Sequence, residues 1–119
     1  MALPGAAAWR PPLGFVLWLP RHLYNERDPH QGRPAVVVQH RASTIMVATR
    51  TSDHLTMVKG DIWHAATPKL GLDRPGWWQP LHRSYEVPMH SLSDDDVERR
   101  DELDGPTFTR VLAAFKGGI

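Results

Sequence analysis

Apolar residues crowd into three early runs of the chain and spread into a helical stripe only near its end. The run LGFVLWL (residues 13–19) is rich in β-formers and stops at Pro20, as a buried strand would. PAVVVQH (34–40) predicts a second strand, with Pro34 at the first position, where a missing N–H does least harm. STIMVATR (43–50) predicts a third, and only Arg41 and Ala42 separate it from the second, which reads as a hairpin. Between the first two runs, RHLYNERDPHQGR carries the loop signals Asn25, Asp28, Pro29 and Gly32. A loop of about a dozen residues is long for a small domain, and such loops are usually functional or unstructured.

Past Thr51 and Ser52 the pattern weakens. LTMVKGDIWHAA (55–66) holds one bent strand or two short ones, with Gly60 as a bulge or turn. TPKLGLDRPGWW (67–78) is loop chemistry, and WWQPLHRSYEV (77–87) reads as an edge strand interrupted by Pro80. Ser93 precedes DDDVERRDEL with Asp96 three residues on, which resembles a capping box and predicts a helix with acids in its first turn. Asp104-Gly105-Pro106 breaks that helix. Phe108, Val111, Leu112 and Phe115 then fall at i, i+3, i+4 and i+7, predicting a second helix ended by Gly117 and Gly118. The expected fold class is β-rich α+β: a small, mostly antiparallel sheet or barrel with C-terminal helices packed on it.

Composition narrows the picture. The 119 residues suit one domain over 13–119, preceded by a flexible leader at 1–12. Pro4, Trp9, Arg10, Pro11 and Pro12 interrupt that leader and argue against a signal peptide. There is no cysteine, which excludes disulfides and thiolate metal sites. No apolar run approaches the roughly 20 residues of a membrane span, so no membrane partner is expected and the cytoplasm is the default location. The net charge of +1 hides an asymmetry: residues 1–60 carry seven Lys/Arg against three Asp/Glu, and residues 61–119 carry seven against ten. A basic half can attract a polyanion, although two solvated surfaces would give the same count.

Few metal or cofactor signatures appear. The seven histidines, His22, His30, His40, His54, His64, His82 and His90, form no H-x-x-x-H pair, and the Ser93–Asp96 acids lack the rest of a calcium loop. No phosphate-binding glycine loop or nucleophile elbow is present, so neither metal nor cofactor is expected. Trp77 and Trp78 are adjacent and face opposite sides of any strand, so at most one fills the core. The other suits a dimer or partner surface or a stacked base. Arg33 is locked between Gly32 and Pro34 at the mouth of the second strand. An antiparallel hairpin brings it beside Arg50, Thr51 and Ser52, near a loop that carries Arg21, Arg27, His22 and His30. A guanidinium beside hydroxyls and imidazoles is a phosphate-binding constellation. The structural alternative is an arginine bridging to Glu26 or Asp28.

At these residues the chain resembles the MazF/PemK family of toxin endoribonucleases from toxin–antitoxin systems. Gly14, Trp18 and Arg33-Pro34-Ala35-Val36-Val37-Val38 keep the order and spacing of the family's opening strand, long loop and Arg-Pro-led strand. VATRTS is similar to its next strand, GLDRPGWWQ occupies the place of its Gly-Leu loop, and the last apolar stripe matches its closing helix. The resemblance implies an SH3-like antiparallel barrel of the CcdB/MazF kind. It also implies a homodimer that cuts single-stranded RNA without a metal, through the ribose 2′-OH, and a cognate antitoxin. The catalytic pair carries over to Arg33 and Thr51, with Ser52 as the register alternative. His30 or His54 would suit proton transfer, and Arg21, Arg27, Arg50 and His54 would suit RNA binding, on their chemistry alone. The competing class is a catalytically silent barrel that binds and inhibits a host protein, as the related gyrase-poisoning toxins do.

Overall fold

A computed structural model describes residues 9–117. Seven strands and one helix form: β1 (Phe15–Pro20), β2 (Gly32–His40), β3 (Thr44–Thr51), β4 (Ile62–His64), β5 (Gly76–Trp78), β6 (Ser84–Pro88), β7 (Glu98–Glu102) and α1 (Gly105–Gly117). All the pairings are antiparallel, along the path β4-β5-β3-β2-β1-β7. β3 is the spine. One of its edges is filled by β2, and the other is shared by β6 along Thr44–Ala48 and by β5 at Arg50 and Thr51. β4 and β7 end the path without meeting, so the sheet curls into a half-open barrel.

The early apolar runs are continuous because both faces of their strands are covered. Val16, Val36, Val38 and Ala48 pack with Leu70, Leu72 and Trp78 under Val111 and Phe115 of α1. Leu17, Leu19, Ala35, Val37, Ile45 and Val47 pack on the opposite face with Val87, Met89 and Leu92. A register shift between Val37 and Gln39 gives β2 its bend.

The C-terminal stripe folds as a helix, with Val111 and Phe115 buried and Asp104 accepting a hydrogen bond from the Thr107 N–H at 3.0 Å. Gly117 is still helical, and Gly118, the other residue of its expected end, lies outside the described residues. The helix expected after Ser93 does not form. Met89–Ser93 is a 3-10 turn, and Glu98–Glu102 is strand β7 against β1. The capping pattern has no apolar face behind it: between Asp94 and Leu103 only Val97 and Leu103 are apolar, which makes no helical stripe. The open edge of β1 offers a ladder instead. Among the described residues there is therefore one C-terminal α-helix. The expected interrupted strand at 77–87 is likewise two strands, β5 and β6, split by a turn in which the Arg83 N–H donates to the Gln79 carbonyl at 2.9 Å.

Of the expected leader, residues 1–8 lie outside the described residues, while Trp9 meets Phe15 edge-on at 5.6 Å and stacks under Arg99 at 3.7 Å. No helix among the described residues is long and apolar enough to cross a membrane.

Candidate functional site

Where the β2–β3 hairpin opens, a cleft of about 240 Å³ lies beside Trp18, Gly32, Pro34 and Arg50. Trp18, Pro34 and Arg50 continue the strand faces of Val16, Val36 and Ala48, so the floor extends the helix-side core. One wall is the loop of Gly71, Leu72, Asp73 and Arg74; Arg100 reaches in from β7, and His30, Arg33 and Ser52 close the mouth. Four arginines and a histidine face one acid, Asp73. The cleft is cationic.

Two glycines shape this floor and wall. A Cβ on Gly32 would run into the Trp18 indole, and one on Gly71 (φ +71°) into the Arg100 guanidinium. Arg50 is 4% exposed, and its Nη2 donates to the Arg74 carbonyl at 2.9 Å and the His64 carbonyl at 3.2 Å, fastening the wall to β3. Burial lowers its guanidinium to about 10, with Asp73 opposing, so it stays cationic at neutral pH. His64, buried beside it and 3.4 Å from Asp104, is held below the usual imidazole range by burial and then by Arg50.

Arg33 is clamped. Its Nε donates to Asp28 Oδ2 at 2.6 Å and its Nη2 to Asp28 Oδ1 at 3.1 Å. The Asp28 carboxylate also accepts from the Tyr24 hydroxyl at 2.6 Å and the His30 N–H at 2.9 Å. Burial alone would push the Asp28 carboxyl up, but the bonds from Arg33, Tyr24 and His30 outweigh it and bring it to about 2. The Tyr24 phenol is pushed well above its usual range by burial and by Asp28, so it remains a donor.

The two hydroxyl candidates separate. Thr51 is buried, and its Oγ1 meets Thr56 Oγ1 at 3.0 Å and accepts from the Asp53 N–H at 3.1 Å. Ser52 is exposed and lines the cleft. His30 and Arg50 join Ser52 and Arg33 there, whereas Arg21, Arg27 and His54 are exposed and line none of it. Arg21 donates to the Asp28 carbonyl at 3.2 Å. Trp78 lies wholly in the core and Trp77 is half-buried on the opposite face, so Trp78 presents no surface to a partner. Trp77 pairs with Trp63, which is 53% exposed, and Leu55, Met57, Val58 and Leu81 are also exposed apolar residues.

The sequence did not single out Arg74 and Arg100, which reach the cleft through the loop and the strand that local pattern left undefined or misassigned. His22, Asp94 and Asp96 bring potential ligand atoms within 4.8 Å of one another, all exposed; 72 residues separate His22 from Asp94, so no spacing motif could announce the group.

A curled, half-open antiparallel sheet closed by one C-terminal helix is the architecture of MazF. MazF from Deinococcus radiodurans matches over 92% of this chain and 96% of that one, with TM-score 0.67 and 16% identity. A MazE–MazF structure from the same organism matches over 92% and 94%, with TM-score 0.61 and 15% identity. No protein-family model and no curated protein matches the chain. At this identity the likeness carries the fold, and the chemistry of the cleft rests on the residues described above.

Proposed function

We propose that the protein is a divergent MazF-type toxin that cleaves single-stranded RNA in the cytoplasm without a metal. The observation carrying this reading is the convergence of Arg33, Ser52 and His30 at the mouth of an arginine-lined cleft. In the reaction the ribose 2′-oxygen attacks phosphorus and the P–O5′ bond breaks. The 2′-OH proton is lost and the 5′-oxygen gains one, leaving a 2′,3′-cyclic phosphate and a 5′-OH end. Arg33 stabilises the charge that builds on the phosphorane, held in orientation by Asp28. A guanidinium is a poor base, so the proton transfers fall to an imidazole, and His30 is the one lining the cleft. Ser52 supplies the neutral hydrogen bond in place of Thr51, whose hydroxyl is already engaged.

The exposed Trp63, Leu55 and Leu81, together with Trp77, support a homodimer or partner surface. The MazE–MazF neighbour supports an antitoxin, whose acidic or extended segment would meet the guanidinia of the cleft. A second reading, a silent barrel that inhibits a host protein, is favoured by Asp28, which already occupies two donors of Arg33.

Single-turnover cleavage of a mixed single-stranded RNA in EDTA, with DNA as control, separates the two. The parent should cut, and Arg33→Lys should lose about a hundred- to a thousandfold in rate because lysine keeps the charge but not the planar fork. A parent that cuts no RNA would hand the lead to the silent barrel. An Arg33→Lys variant as fast as the parent would remove Arg33 from the chemistry.

A further inference from the structure

Two arginines of the cleft have donors that the fold leaves unused. Arg50 and Arg100 both line it, and in each the Nε–H is buried with no acceptor among the described residues. A buried, unpartnered donor costs free energy, and on a cation the cost is larger. The remaining hydrogen bonds of Arg100 hold it in place: Nη1 donates to the Leu70 carbonyl at 2.8 Å and Nη2 to Glu98 Oε1 at 2.8 Å. It lies where a Cβ on Gly71 would otherwise stand. Arg50 is fixed in the same way by the carbonyls of His64 and Arg74. Both guanidinia are therefore positioned in advance, and neither needs a freely swinging side chain to be ordered on binding. Arg74 adds a third charge to the lining, against Asp73 in the lining and the exposed Glu98 that pairs with Arg100. Arg33, on β2, and Ser52, two residues past Arg50 at the end of β3, line the mouth of the same cleft, while Arg100 enters it from β7.

We propose that the Arg50–Arg100 side of the cleft is a second oxyanion subsite, which holds a backbone phosphate flanking the one at Arg33 and Ser52. The ligand class is a single-stranded polyanion contacted at two linkages. The inference rests on the nucleic-acid reading of this cleft but not on cleavage.

The probe is a mixed-sequence 2′-O-methyl RNA dodecamer, which lacks the nucleophile and cannot be cut by the proposed route. Its binding to the full chain is followed by fluorescence anisotropy across a salt series. Replacing one linkage at a time by a neutral methylphosphonate should weaken binding at two linkages. Arg100→Gln should weaken the parent oligomer by roughly five- to twentyfold and lower the slope of log affinity against log salt by about 0.7, the share of one single-strand phosphate. It should also abolish the effect of neutralising one of the two linkages. A merely bracing Arg100 would leave that coupling untouched. Arg100→Lys, which keeps the charge, should restore the slope, and it serves as the reference if Arg100→Gln is poorly folded.

One sensitive linkage in place of two, or a salt slope unchanged by Arg100→Gln, overturns the subsite. A parent protein that does not bind the dodecamer overturns it as well. Because cleavage is not the readout, a protein that binds at two linkages yet cuts no RNA would end the nuclease reading and leave the subsite standing.

Discussion

Asp28→Asn should separate the structural role of the Arg33 clamp from its chemical one. The carboxylate accepts four hydrogen bonds, two from Arg33 and one each from Tyr24 and the His30 N–H, and Asp28 is 2% exposed. Its carboxyl is lowered from 3.8 to about 2 in the folded chain. By linkage, a fall of that size stabilises the fold by about 2 kcal/mol wherever the carboxylate is ionised. That stability is fully present above about pH 4 and is lost as pH falls through about 2.

Asparagine cannot keep both acceptors, because in either orientation its NH₂ would point a donor at Arg33, and at the Tyr24 hydroxyl or the His30 N–H besides. The loss at neutral pH should therefore be at least about 2 kcal/mol and approach the 3–5 kcal/mol typical of a broken buried pair. For a chain of this size that is a drop of roughly 10 °C or more in Tm. Urea melts of parent and variant from pH 7 to pH 2.5 are the assay. The gap between them should be constant above pH 5 and narrow as the pH falls below 4. A variant within about 0.5 kcal/mol of the parent at pH 7, or a gap that widens on acidification, would refute the account of the clamp.

Four further outcomes follow from the same geometry. Thr51→Val should lower stability by about 1 kcal/mol through the lost bonds to Thr56 and Asp53, read by urea melts, while Ser52→Ala should leave stability unchanged and slow RNA cleavage. Gly71→Ala should destabilise by roughly 1–3 kcal/mol, measured by calorimetry, since it forces a Cβ into both a positive φ and the Arg100 guanidinium. His64 should titrate by NMR below the ordinary imidazole range. Stability is full above the ordinary imidazole value of 6.5, declines as pH falls below it because the unfolded chain takes up the proton first, and stops declining below the lowered folded value. A His64 that titrates above the range would contradict its burial beside Arg50.

The hairpin was legible because its pattern is local: two β-rich runs and a short connection bring residue 33 towards residue 51, and the ladder continues from Ala35 opposite Thr49. The choice between Glu26 and Asp28 as partner of Arg33 was not legible, because it depends on how the Arg21–Leu23 turn aims the loop. Strand parity alone could not rank Thr51 against Ser52, since what occupies the Thr51 hydroxyl is Thr56, from a loop with weak pattern. β7 was hidden most deeply. Glu98–Glu102 has no apolar residue to reveal a period, and its strand conformation comes from the edge of β1 that it covers.

That pairing carries a kinetic consequence. Trp18 and Glu98 are partners across 80 residues of chain. At a synthesis rate of roughly 5–20 residues per second, β1 waits about 4–16 s for its outer neighbour to be made. Contacts of such separation slow folding, because the loop must close before they contribute. Arg100 arrives on the same strand, so during synthesis the cleft cannot be complete before residue 100 has emerged. A ribosome-bound chain that has not yet exposed residue 100 holds Arg33 and Ser52 but lacks one wall of the place where they would act.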